Sequence, residues 1–213
     1  MRTTIIAVRH GETEWNKIER QQGHLNSGLT ELGKQQARAM GGSLRSYSIG
    51  CFYASDLGRA VETAEIIAGI IGLKYESDVR LRERNLGILQ GLTTTESEEK
   101  YPQVIEQLKK RDPEYRIPNG ESMRERYERH IGCAESLAGR HPGQTLLIVG
   151  HGGVLMSFIQ KALSIPLGAR RTYSLYNGSL NLFSISDVQE WNLEVWGEAA
   201  HLRSAGLSTM DDS

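Results

Sequence analysis

Two apolar runs in this chain end in the same way. Thr4 to Val8 leads into Arg9-His10-Gly11, and Thr145 to Val149 leads into Gly150-His151-Gly152-Gly153. Runs that are apolar and rich in β-branched residues, with no polar alternation, are those of strands buried on both faces of a sheet. A guanidinium and an imidazole are poor core residues but good anion-handling groups, so such strands deliver chemistry to their ends. Arg59 is a further cation, expected in the first turn of a helix, where backbone N–H groups and the dipole already favour an anion. Leu81 to Gly87 is too charged for core and too short for a helix, and reads as a functional loop or a solvated turn. Each residue also has a plain structural reading. A histidine at a strand end can be a satisfied structural group, as expected for His24, His130, His141 and His201. Arg59 could be a surface ion-pair former, and Glu83 could simply pair with Arg82 and Arg84.

The elements that must position these groups follow from periodicity. Thr30 can cap a helix from Glu31 to Arg45 with Leu32, Ala39, Met40 and Leu44 inside. Gly50 to Ala54 reads as a second strand. Ser55-Asp56 then caps a helix over about 57–71 that buries Ala60, Ala64, Ile67 and Ile71. Lys74 to Ser77 can be a third strand. The segment from Glu12 to Gly28 is polar and loop-like, and Thr93 to Asn119 is a polar insertion broken by Pro102, Pro113 and Pro118, expected over the site. Glu121 and Ser122 should cap a long helix to Arg140 with Met123, Tyr127, Ile131, Ala134 and Ala138 at helical spacing. A helix over 154–163 and an antiparallel pair, 179–185 with 191–196, follow, and the tail after Ala200 has no strong pattern. Alternating strands and helices call for a three-layer α/β sandwich with a mostly parallel sheet. Ligands bind beyond the carboxyl ends of such strands, so Arg9, His10, Arg59 and His151 should share one cationic pocket.

Composition narrows the partners. The 213 residues suit one domain, and 25 basic against 26 acidic residues mark no global affinity for nucleic acid or a membrane. Cys51 and Cys133 make no metal or disulfide pattern and are expected to be buried thiols. No His-Glu-x-x-His or similar ligand spacing accompanies the six histidines, so neither a metal nor a cofactor is expected. The N-terminus enters the first strand directly, with no secretory segment, and a cytoplasmic location is expected.

At these residues the sequence resembles the histidine phosphatase, or phosphoglycerate-mutase-like, superfamily. The resemblance rests on Arg9-His10-Gly11-Glu12-Thr13-x-Trp15-Asn16, Gln22-Gly23, Leu29-Thr30-x-x-Gly33, Ser55-Asp56-Leu57-x-Arg59-Ala60-x-x-Thr63-Ala64, Leu81-Arg82-Glu83, Gly120-Glu121-Ser122 and His151-Gly152-Gly153. Short tripeptides mean little singly, but their joint appearance in order is specific. The chain is most similar to the compact bacterial branch, whose members are mostly phosphatases. The resemblance implies that His10 is a nucleophile forming a phosphohistidine, that Arg9, Arg59 and His151 surround the phosphoryl group, and that Glu83 moves the protons. Asn16 and the backbone at Gly152 would add hydrogen bonds, and Thr13, Gln22, Gly23, Arg84, Asn85 and Leu86 match positions that touch phosphate or substrate. The implied partner is a small phosphomonoester, with a homodimer left open. A cofactor-dependent phosphoglycerate mutase is the competing activity, similar around Glu83 to Gly91. The Arg-Arg pair and proline-rich lid of those mutases are absent where they would be expected. A phospho-ligand sensor is a third reading, against which stands the pairing of His10 with Glu83. Lys109, Lys110, Arg111 and Arg116 of the insertion are expected either to select acidic substrates or to be solvated surface charges.

Overall fold

The apolar run after Met1 forms strand β1 (Arg2–Arg9) of a computed structural model that describes residues 1–208. A one-turn helix α1 (Glu14–Lys17), helix α2 (Glu31–Leu44), strand β2 (Cys51–Ala54), helix α3 (Gly58–Ile71) and the two-residue strand β3 (Glu76–Ser77) follow. Helices α4 (Thr94–Lys100), α5 (Pro102–Lys109) and α6 (Met123–Arg140) precede strand β4 (Thr145–Gly150) and helix α7 (Gly152–Ala162). Strands β5 (Leu180–Ser186) and β6 (Trp191–Glu198) and the short helix α8 (Ala200–Ser204) complete the order.

The strands form a six-stranded sheet in the order β3-β2-β4-β1-β5-β6. The first four of these run parallel, while β5 and β6 are antiparallel additions at one side. This is the α/β sandwich expected from the alternation of elements. Ile5 and Ala7 pack on one face with Ala134, Leu137, Leu155 and Phe158 from α6 and α7. Ile6 and Val8 pack on the other with Ala37, Met40, Ala64 and Ile67 from α2 and α3. Each large aliphatic side chain fully buried in this way contributes about 1.5–3 kcal/mol, so the central strands are held from both sides and their ends are a firm platform.

Several local expectations are corrected. The segment from Glu12 to Gly28 is not all loop: Thr13 caps α1 in a reciprocal box with Asn16. The buried stripe of α2 is Gly33, Gln36, Ala37, Met40, Gly41 and Leu44, with Leu32 and Ala39 only half-buried. Two glycines hold inner positions because neighbours approach closely: a Cβ on Gly33 would lie 2.0 Å from the Glu12 carbonyl oxygen, and one on Gly41 2.8 Å from the Ile70 side chain. Ile71, Met123 and Tyr127 are likewise half-buried, as is Cys51, whereas Cys133 is buried. The third strand shrinks to Glu76–Ser77, and α7 begins at Gly152, directly after His151. The tail contains α8, anchored by buried Leu202, and its last five residues, 209–213, lie outside the described ones.

Candidate active site

Register brings the two histidines together. β1 and β4 are adjacent and parallel, with Arg9 opposite Gly150, so the next residue of each strand is a histidine at the same edge. The His10 N–H donates to Gly150 O at 3.0 Å, and the two imidazoles meet edge to face with centroids 5.2 Å apart. His10 Nδ1 lies 2.8 Å from Gly11 O, which accepts only a proton, so Nδ1 carries the hydrogen and Nε2 the lone pair. Arg59 Nε donates to that Nε2 at 3.2 Å. Burial, then Arg59 and Arg9, hold the His10 pKa well below its ordinary value, which keeps the ring neutral. His151 is neutral for the same first reason, helped by Arg59 and His10. Ser55 Oγ accepts the Leu57 N–H and sits 2.8 Å from His151 Nε2, a contact that fixes the orientation of the ring. Among the described residues His151 Nδ1 has no hydrogen-bond partner.

The arginines are locked rather than free to swing. Arg9 is 2% exposed and its Nη1 donates to the Leu175 carbonyl. Arg59 donates from Nη1 to Leu25 O at 2.8 Å and from Nη2 to Gly23 O at 2.9 Å. Its own N–H is taken by Asn26 Oδ1, so the start of α3 has neither a Ser55 nor an Asp56 side-chain cap: Ser55 serves His151, and Asp56 pairs with Arg82 at 2.5 Å. Preset donors of this kind need no reorganisation when charge develops on a bound group.

Glu83 does not pair with its neighbours in sequence. Arg82 goes to Asp56, and the Arg84 guanidinium donates twice to Glu121 O. The Glu83 carboxylate instead accepts backbone N–H groups, from Arg84 at 2.7 Å and from Gly153, at the start of α7, at 2.9 Å. A Cβ on Gly153 would stand 2.0 Å from Glu83 Oε1, which explains the glycine. The Glu83 backbone is clamped as well, because its carbonyl accepts from Arg129 Nη2 and contacts His24 Nε2. Glu121 is therefore not a helix cap. Ser122 alone caps α6, while Glu121 binds Arg129 at 2.7 Å and the Asn85 N–H at 2.9 Å to hold the loop bearing Glu83.

A cavity of about 340 Å³ opens beyond the strand ends, lined by Arg9, His10, Asn16, Gln22, Arg59 and Glu83 among others. Gly23 and Leu86 also reach it, whereas Thr13, fully buried, supports it from behind by accepting from Gln22 Nε2 at 2.8 Å and pairing with Asn16. Asn85 does not line this cavity and ties its loop through the Gly87 N–H. A second space of about 640 Å³ adjoins the first, sharing Glu83 and Leu86, with Arg84, Gly152 and Arg126 on its wall. Three supporting residues were not legible beforehand: Arg129, Arg126 and Asn177, whose amide donates to His10 O at 2.8 Å. His24, His130, His141 and His201 each have polar partners away from His10. Among the described residues no cluster of His, Cys, Asp and Glu side chains is arranged to hold a metal ion, and no helix is long and apolar enough to cross a membrane.

Stability should report this burial. His10, His130 and His151 all have folded pKa values well below 6.5, chiefly from desolvation. The unfolded chain then binds protons that the folded chain refuses, so stability is full above pH 6.5 and falls as pH drops below it, until the folded values are reached. The three groups act in the same direction, so the fall should be plain by pH 5.5. Urea unfolding at pH 7.5 and 5.5 measures it, and equal stability at both would show that the rings are protonated in the fold.

A parallel sheet that ends two adjacent strands in histidine, with fixed arginines around the cleft beyond, defines the class of α/β protein to which this architecture belongs. Residues 5–199 match the model of the histidine phosphatase superfamily (branch 1), and the chain belongs to that family. It is 37% identical to the "Probable phosphoglycerate mutase GpmB" of Salmonella choleraesuis, across 97% of this chain and 98% of that one. Its fold is similar to Bacillus stearothermophilus YhfR, with a TM-score of 0.86 and 33% identity over 94% of this chain and 99% of the other. It is also similar to a mycobacterial glucosyl-3-phosphoglycerate phosphatase, with a TM-score of 0.80 and 28% identity over 93% and 100% of the two chains.

Proposed function

We propose that the chain hydrolyses a small phosphorylated metabolite through a phosphohistidine on His10. The observation that carries this reading is the neutral His10 ring, its Nε2 lone pair beside Arg59, on the wall of a cavity that Glu83 also lines. In the first step Nε2 attacks phosphorus and the bond to the leaving oxygen breaks, with Glu83 passing a proton to that oxygen. In the second, water attacks the phosphohistidine, Glu83 takes the water proton, and the P–N bond breaks to release phosphate. Arg9 and Arg59 stabilise charge on the equatorial oxygens, and His151, packed against the His10 ring, would be a further donor. Asn16, Gln22 and the Gly152 backbone would complete the phosphate contacts. The polar insertion over 93–119 is read as part of this single domain, since Ile105, Leu108, Lys109 and Arg111 line the larger cavity beside Glu83.

Purified protein should turn over p-nitrophenyl phosphate in excess EDTA, because nucleophile and phosphate clamp are side chains, and vanadate should inhibit it. Loss of activity in EDTA with rescue by a divalent ion would overturn the mechanism. The similarity to a protein named as a probable phosphoglycerate mutase favours a second reading as such a mutase. An assay with 3-phosphoglycerate and bisphosphoglycerate separates the two, since a mutase returns the phosphoryl group before water takes it.

A further inference from the structure

The phosphoryl chemistry assigns no role to Arg126, near the start of α6. It is 4% exposed. Its Nη2 donates to Gln160 Oε1 at 3.1 Å and its Nη1 meets Met156 Sδ at 3.3 Å, while Nε has no partner among the described residues. No carboxylate is hydrogen-bonded to it: Glu121 binds Arg129, Glu125 binds Arg116 and the Ser122 N–H, and Glu83, which favours its charge from nearby, accepts two backbone N–H groups. Its surroundings add to the burden. It stands near the positive end of a helix, and beside Arg84, whose pKa burial and then Arg126 pull down to about 10. Burying a guanidinium without a carboxylate carries a desolvation penalty that Gln160 and a thioether offset only in part.

This cation lies on the wall of the larger cavity, with Arg84, Gln160 and Tyr173, among apolar groups such as Leu108 and Met156. Glu83 and Leu86 border both cavities, so a molecule whose phosphoryl group sits at His10 continues past Glu83 toward Arg126. We propose that Arg126 is a specificity-determining residue that receives a carboxylate on the non-transferred part of the substrate, selecting acidic phosphomonoesters with a body that fills the second cavity. The proposal rests on the phosphatase reading for the position of the phosphoryl group. The larger cavity is lined by Arg84, Lys109, Arg111, Arg126, Arg170 and Arg171 against one carboxylate, Glu83, so an anion is favoured there, and of these cations Arg126 is the buried one. The planar guanidinium also matches a carboxylate edge to edge. The insertion cations are less suited. Lys110 and Arg116 line neither cavity, Lys109 is in an exposed pair with Glu98, and Arg111 donates to Ala169 O.

The test compares 3- and 4-carboxyphenyl phosphate with phenyl phosphate, and the matching phosphonates as non-hydrolysed ligands, on the parent, Arg126→Met and Arg126→Lys. The parent should prefer the better acidic ester by more than tenfold in kcat/KM, and the corresponding phosphonate by a similar factor in Kd from calorimetry. Arg126→Met should lower both ratios at least tenfold, with Arg126→Lys between. Thermal unfolding of Arg126→Met should stay level or rise, because an unpaired buried charge is removed. No acidic preference in the parent, or a preference unchanged in Arg126→Met, overturns the proposal. So does an equal fall on acidic and neutral esters together with a lower Tm, the mark of a structural or Glu83-supporting role. If no ester turns over yet the phosphonates keep an Arg126-dependent acidic preference, the phosphatase reading fails and the carboxylate subsite stands.

Discussion

His10→Ala is expected to lower kcat/KM for p-nitrophenyl phosphate by at least ~10³-fold, about 4 kcal/mol of transition-state stabilisation. The size follows from the site. Arg9 and Arg59 are fixed by backbone carbonyls whether or not the imidazole is present, so phosphate should still bind the variant. What is lost is the one imidazole lining the smaller cavity among the described residues; the other side chains there with a nucleophilic oxygen are Thr94 and the carboxylates Glu19 and Glu83. Brief incubation of the parent with labelled substrate, quenched in alkali, should leave a base-stable, acid-labile label that His10→Ala lacks. Turnover by His10→Ala within about tenfold of the parent, only ~1.4 kcal/mol, would assign the nucleophile elsewhere.

How far such a site can be read from sequence depends on the range of the interactions that build it. Arg9, His10 and His151 were legible because a buried strand is a short, local pattern, and a polar group at its end stands out against it. The sheet followed from the same runs. Glu83 was placed by resemblance alone, since its partners, Arg84 N–H and Gly153 N–H, lie one and seventy residues away. The errors have the same origin. Ser55-Asp56 has the local form of a helix cap, but the hydroxyl is drawn off by His151 and the carboxylate by Arg82, contacts that exist only after the chain has closed. Glu121 looks like the first residue of a helix and is instead the anchor for Arg129 and the Asn85 N–H. Arg126 was illegible for a simpler reason. In Met123-Arg124-Glu125-Arg126-Tyr127-Glu128-Arg129 every cation resembles a solvated surface charge, and only the packing of α6 against α7 buries one of them without a carboxylate. Asn177 lies between α7 and β5, where no periodicity flags it.

Glu83→Gln should separate the two half-reactions. General acid–base assistance is worth ~10²–10⁴-fold, and most where the leaving oxygen is a poor one. An alkyl phosphate needs the proton that Glu83 supplies, so kcat/KM should fall within that range. p-Nitrophenolate leaves without help, so kcat/KM for p-nitrophenyl phosphate, which reports only the steps through phosphorylation of His10, should fall far less. Its kcat should nevertheless drop, because the second step lacks a base for water, and phosphohistidine should accumulate as a burst of nitrophenolate approaching one per active site. One structural effect must be kept apart. The carboxylate accepts from two N–H groups, and a carboxamide can accept only with its oxygen, so its NH₂ would oppose either Arg84 N–H or Gly153 N–H. That mismatch loosens the loop equally for every substrate, whereas loss of proton transfer discriminates between leaving groups. An equal fall in kcat/KM for alkyl and nitrophenyl esters, with no burst, would therefore leave Glu83 as a positioning residue and remove it from the proton chemistry.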